Sequence, residues 1–151
     1  MQRHGWNLLF HACVIEQLRN VHLAADRARR KDPDGYERNA NVRLFNALTH
    51  LMLEVIPSDP GNDVYRQGNT LGPDFRHWRR ARIGRRFRLF FRYDSRARMI
   101  VFGWVNDQQT LRKAGSKSDP YRVFRQMLNA GNPPDDWQQL VDASRADWKR
   151  L

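Results

Sequence analysis

Arginine is the residue through which this chain could do chemistry. Residues 61–117 carry 14 Lys and Arg against 4 Asp and Glu, whereas residues 1–60 carry 8 against 7 and residues 118–151 carry 5 against 5. Nearly all of the formal net charge of +11 therefore sits in one central segment. A charge serving solubility alone would be spread out and richer in lysine. The planar guanidinium instead grips phosphate with two parallel hydrogen bonds, so concentrated arginine favours a polyanion as partner, nucleic acid being the commonest.

Other enzyme signatures are missing. The chain has no Gly-rich phosphate loop ending in Lys-Ser/Thr, no His-Glu-x-x-His and no paired cysteines. Its acidic residues are too scattered for an obvious magnesium cluster, so no metal site and no cofactor are expected. A metal-free reaction suits what is present: the 2′-hydroxyl of RNA attacks the neighbouring phosphate. That reaction needs a base, an acid for the leaving oxygen and positive groups for the developing charge. Arginines supply the last; always protonated, they are poor bases. His77 abuts the basic strands and belongs to the residue type that most often does acid–base work, which makes it a candidate. Phe90, between Arg88 and Arg92, could stack a base, although a packed aromatic is the commoner case.

The elements that must position these residues follow from periodicity. Trp78 to Ile83 alternates, with Ala81 and Ile83 on one face and Arg80 and Arg82 on the other. Phe87 to Tyr93 sets Phe87, Leu89, Phe91 and Tyr93 against Arg88, Phe90 and Arg92. Met99 to Asn106 is apolar on both faces, as a central strand should be. These make a three-stranded antiparallel meander. Ahead of it, Trp6 to Phe10 reads as an edge strand. Two amphipathic helices follow, one over 13–30 and one carrying Ala40, Leu44, Ala47, Leu48, Leu51 and Val55 and ended by Pro57. After the meander, Asp119-Pro120 opens a helix that Gly131 closes, and 135–150 is a further helix candidate with Trp137, Leu140 and Trp148 on one side.

At 151 residues and 18.0 kDa the chain fits a single domain, 1–151, of the α+β class. No apolar run approaches the ~18–20 residues that span a bilayer, and His11 and Glu16 interrupt the N-terminal apolar stretch where a secretory signal would run. The single Cys13 suits a reducing compartment. A cytoplasmic location is expected.

This order of elements, with its arginine-rich meander, resembles the RelE-like toxins, and more closely the YhaV family. Gly5-Trp6, Lys31-Asp32-Pro33, the run RFRLFFRYDSRARMIVFGWVNDQQTLR (86–112) and the run SDPYRVFRQMLNAGNPPDDW (118–137) carry the likeness over nearly the whole chain. The resemblance implies a small antiparallel sheet packed on an N-terminal helical hairpin, with one or two C-terminal helices. It implies a metal-independent endoribonuclease acting on messenger RNA, often with the ribosome, and inhibiting translation. A cognate antitoxin would hold it inactive, an AbrB-type swapped-hairpin, PrlF-like protein through which alone operator DNA is met. No membrane partner is implied.

Carried over by position, Arg80 and Arg82 match the first basic strand pair, Arg88 the arginine on the scissile phosphate, and Arg112 the basic residue beyond the last strand. Tyr121 is the candidate for a C-terminal tyrosine, with core packing the alternative. Arg86, Arg92, Lys113 and Lys117 are expected RNA contacts, the two lysines reaching in from their loop. A second reading stays open: a non-catalytic module of the same shape that binds RNA, DNA or the ribosome. Phosphate binding and phosphate chemistry draw on the same arginines.

Overall fold

In the computed structural model, which describes residues 1–148, the elements run β1 (Gln2–Arg3), β2 (Trp6–His11), α1 (Ala12–Lys31), α2 (Ala40–His50), α3 (Ile56–Ser58), β3 (Arg79–Ile83), β4 (Phe87–Asp94), β5 (Met99–Val105), α4 (Pro120–Asn129), α5 (Trp137–Asp142) and β6 (Ser144–Arg145). The sheet order is β1-β2-β5-β4-β3, with β6 also pairing β2. The antiparallel meander is present, but the sheet is mixed rather than antiparallel throughout. β2 lies parallel to β5, in register from Asn7 opposite Met99 to Phe10 opposite Phe102. A strand that runs straight into a helix reaches a distant neighbour by a crossover, and crossovers give parallel pairs.

Both faces of the sheet are covered. On one, Leu8, Phe10, Leu89, Phe91 and Phe102 meet Val14, Leu18, Leu48, Met52 and Ile56 of the helical hairpin. On the other, Trp78, Phe90, Val101 and Trp104 meet Tyr121, Phe124 and Leu128 of α4 and Leu140 of α5. Trp78 crosses β5 so closely that a Cβ on Gly103 would sit 2.7 Å from its ring, so only glycine fits there.

Two expectations about the helices need correction. The second helix runs on through 51–55 into α3 and stops at Ser58, beside the expected Pro57, but it leaves Ala40, Ala47 and Val55 exposed. Its wider turn at 51–55, before α3, advances the buried face, which runs Leu48, Met52, Ile56. Its cap is Asn39, whose side chain accepts from the Asn41 N–H at 2.9 Å. The last helix is only α5, and the chain then enters β6; the end of the expected 135–150 helix lies outside the described residues. Among the described residues, no helix is long and apolar enough to cross a membrane.

Candidate functional site

Alternation aims Arg80, Arg82 and Arg88 at the α4 side of the sheet. In the β3–β4 ladder Arg82 stands directly opposite Arg88 and Arg80 opposite Phe90. Like charges facing one another across a ladder destabilise a sheet, so this pairing works against folding. Arg82 is exposed and turns to solvent, while Arg88 is held by Tyr121, on the first turn of α4. Its hydroxyl oxygen accepts from Arg80 Nε at 3.0 Å and from Arg88 Nε at 3.2 Å. Arg88 also donates to the Phe87 carbonyl and Arg80 to the Val64 carbonyl, each at 2.8 Å. Arg88 is only 7% exposed and Tyr121 5%.

Arg112 joins them from the loop after β5. Its guanidinium lies 4.7 Å from the centre of the Tyr121 ring and donates to Asp119 Oδ1 at 2.7 Å. Asp119 is also the cap of α4, its other oxygen accepting from the Tyr121 N–H at 3.3 Å. One carboxylate thus starts the helix that presents Tyr121 and holds the arginine above it. Asn106 fixes the strand end below: it accepts from the Arg88 N–H at 2.7 Å and donates to the Arg86 and Thr110 carbonyls at 2.9 and 2.7 Å. Next to it, burial alone would raise the Asp107 carboxyl, but hydrogen bonds from Thr110, Gln17 and Gln109 hold it below its ordinary value.

The structure thus brings Arg80, Arg88, Arg112 and Tyr121 into contact, with Arg82 beside them. The cleft above Tyr121, of about 520 Å³, is lined by Tyr121 and Arg112 together with Thr70, Ser116, Arg122 and Arg125, whereas Arg80, Arg82 and Arg88 lie outside its lining. Sequence reasoning missed Arg122 and Arg125; their spacing along α4 beside Tyr121 was the available signal.

Other expected contacts lie elsewhere. Phe90 is 0% exposed, its ring stacked 4.4 Å from Phe124, so it is core and offers no face to a base. Arg92 is not a free surface cation. It is wedged between the rings of Trp78 and Trp137, donates to the Asp135 carbonyl, and burial lowers its pKa although Asp135 and Asp136 oppose that. Arg86 is exposed at the β3–β4 turn. Lys113 and Lys117 are exposed on their loop but do not line the Tyr121 cleft, which their neighbours Ala114, Gly115 and Ser116 border. His77 is not beside Tyr121: its Nε2 lies 2.6 Å from Asp135 Oδ1, in a second cleft with Arg92 and Arg79. Among the described residues no group of three or more His, Cys, Asp or Glu is gathered as a metal-ligand set.

Buried Arg88 and half-buried Arg80 and Arg112 converge on one buried tyrosine at the face of a small mixed sheet, an arrangement with the chemistry to meet a phosphodiester. Residues 8–145 match the family described as a toxin with endonuclease activity, of a toxin–antitoxin system. The chain is 37% identical over 139 residues to Toxin YhaV of Escherichia coli O6:H1, covering 91% of this chain and 90% of that one. It is equally similar to the Ribonuclease toxin YhaV of Escherichia coli K12, at 37% over the same 139 residues. No solved structure matches. The chain belongs to the YhaV family of toxins.

Proposed function

We propose that this protein is the toxin of a toxin–antitoxin pair and that it cuts messenger RNA in the Tyr121 cleft without a metal ion. The observation that carries the reading is the Tyr121 hydroxyl. Two arginine N–H groups occupy its oxygen, so its own hydrogen is left to donate towards a ligand in the cleft. The 2′-hydroxyl of the bound strand attacks the phosphorus, its proton passing to water. Arg112, in the cleft lining, meets the charge that builds on the phosphate, Arg88, Arg80 and Arg82 add theirs from the sheet beside Tyr121, and Tyr121 donates to the departing 5′-oxygen. Because Arg80 and Arg88 already donate to the Tyr121 hydroxyl, little rearrangement accompanies the reaction. The related ribonuclease toxin supports RNA as the substrate.

In this reading the protein acts in the cytoplasm, engages the ribosome, halts translation, and is neutralised by a cognate antitoxin of the AbrB-type swapped-hairpin kind. The test is cleavage of a labelled RNA in excess chelator. Wild-type protein should leave a 2′,3′-cyclic phosphate, and Arg88→Ala should slow cleavage by about 10²–10³-fold, the typical cost of one transition-state donor. Arg43→Ala, which removes an exposed charge on α2, should not. A strict magnesium requirement with a 3′-hydroxyl product, or equal losses in the two variants, overturns the reading.

A further inference from the structure

The larger cleft, about 650 Å³, takes no part in that chemistry and lies at one end of the β3–β4 pair, where Arg79 and Tyr93 come from the hairpin face and Arg92 from the α4 face. Its volume is in the range that encloses small ligands, and its walls come from three segments: Arg66 and Arg76 from the loop before β3, Arg79 from β3, and Arg92 and Tyr93 from β4. Trp137 of α5 completes it, and Asp94 is the one acidic side chain among the lining residues. Resting on the RNA-cutting reading above, we infer that this cleft is a second binding site for the same single-stranded RNA, taking phosphates on Arg66, Arg76 and Arg79 and a base against Trp137 or Tyr93.

Several features are those of a prepared site. Arg76 Nε is held by Asn69 Oδ1 at 2.6 Å, Arg79 by the Asn62 carbonyl at 2.8 Å, and Arg92 by the Asp135 carbonyl. A guanidinium has five N–H donors, so one tether aims each group and leaves donors for phosphate. The Arg66 pair with Asp63, at 3.2 Å and largely exposed, is too weak to withhold Arg66 from a ligand. Rings alternate with these cations: Arg79 lies 5.1 Å from the centre of Tyr93 and Arg92 5.2 Å from that of Trp137. Basic groups interleaved with half-exposed rings bind single strands, because every base offers a face to stack. Asp135 Oδ1 takes both His77 Nε2 and Trp78 Nε1, at 2.6 and 2.9 Å, which fixes the His77 ring at the cleft and leaves its Nδ1 for the ligand.

The two clefts also adjoin. Gly68 borders this one and Thr70 the Tyr121 cleft. Along β4, Arg88 and Arg92 are four residues apart on one face, about 13 Å at about 3.3 Å per residue. A short oligonucleotide spans that distance, so a strand cut at Tyr121 reaches this cleft with a neighbouring nucleotide.

The experiment compares wild type with Arg66→Gln/Arg76→Gln, both exposed positions. Binding is read with an uncleavable 2′-O-methyl octanucleotide and cleavage with a dinucleotide too short to reach the second cleft. The variant should bind the octanucleotide about tenfold more weakly, with the salt dependence reduced by about 1.4 for two lost phosphates, and cut the dinucleotide at an unchanged rate. Unchanged octanucleotide affinity, or an equal loss on the dinucleotide, overturns the proposal. So does an octaglutamate peptide that binds wild type as tightly as the RNA and is lost in parallel, since the cleft would then serve an acidic protein segment. If wild type cuts neither the dinucleotide nor an unmodified octanucleotide, the cleavage reading falls, while weakened binding of the 2′-O-methyl octanucleotide in the variant still supports the second cleft.

Discussion

Phe90 and Phe91 are chain neighbours, equally buried, and face opposite sides of the sheet. Phe91 packs against Tyr65 and Phe102 beneath the helical hairpin. Phe90 packs against Phe124 and, edge-on at 5.6 Å, against Tyr121. On the hairpin face burial is the whole task, and packing is judged by volume alone. On the α4 face the same kind of burial also sets where a hydroxyl and two guanidinium groups come to rest. The difference teaches that the site is an extension of the second core, so stability and activity are separable on one face and coupled on the other.

The sharpest way to break this comparison is to empty both positions. Phe90→Ala and Phe91→Ala should each cost about 3–5 kcal/mol in urea unfolding. The milder Phe→Leu pair keeps enough volume for folded protein to be assayed. Phe91→Leu should then leave cleavage per folded molecule unchanged, whereas Phe90→Leu should slow it several-fold. Equal activities would mean that Tyr121 is placed by its hydrogen bonds alone.

A smaller effect comes from Asn106, 2% exposed at the end of β5. Asn106→Ala leaves the Arg88 N–H without its acceptor, at a cost of about 1–3 kcal/mol. It also frees the strand end that aims Arg88, so kcat should fall while KM holds. A fall in stability with kcat intact would show that Arg88 is positioned by Tyr121 and not by the backbone.

The smallest effect lies on the hairpin side and is read by pH. His11 caps α1 by accepting from the Cys13 N–H at 3.1 Å, which requires an unprotonated Nδ1, and burial lowers its pKa. A lowered folded pKa gives stability that is complete above the unfolded value, ~6.5, and is lost as pH falls through the folded one. Between pH 7 and 5 the loss should be about 1 kcal/mol, roughly 2–4 °C in Tm, and absent in His11→Asn. Activity per folded molecule should not follow it.

Much of this was legible beforehand because it is local. Alternation from Arg79 to Tyr93 fixes which side chains share a face, and Asp119-Pro120 marks the start of α4. Arg80, Arg82 and Arg88 therefore came out together from one strand pair. What was not legible depends on contacts between distant segments. His77 meets Asp135 across 58 positions, and no periodicity reports that. Phe90 reads as a ring between two arginines until α4 is seen to lie over it. The wider turn at 51–55 shifts a helical face that a regular spacing cannot anticipate.

The parallel pairing of β2 with β5 bears on the life of the chain during its own synthesis. Phe10 is made long before its partner Phe102; at about 5–20 residues per second the interval is roughly 5–20 s. Through that time the hairpin has formed most of its local contacts, but the apolar edge of β2 has no neighbour. Contacts of such long sequence separation close late and leave the growing chain prone to aggregate. Tyr121 is translated later still, so the site stays unassembled until α4 has been made.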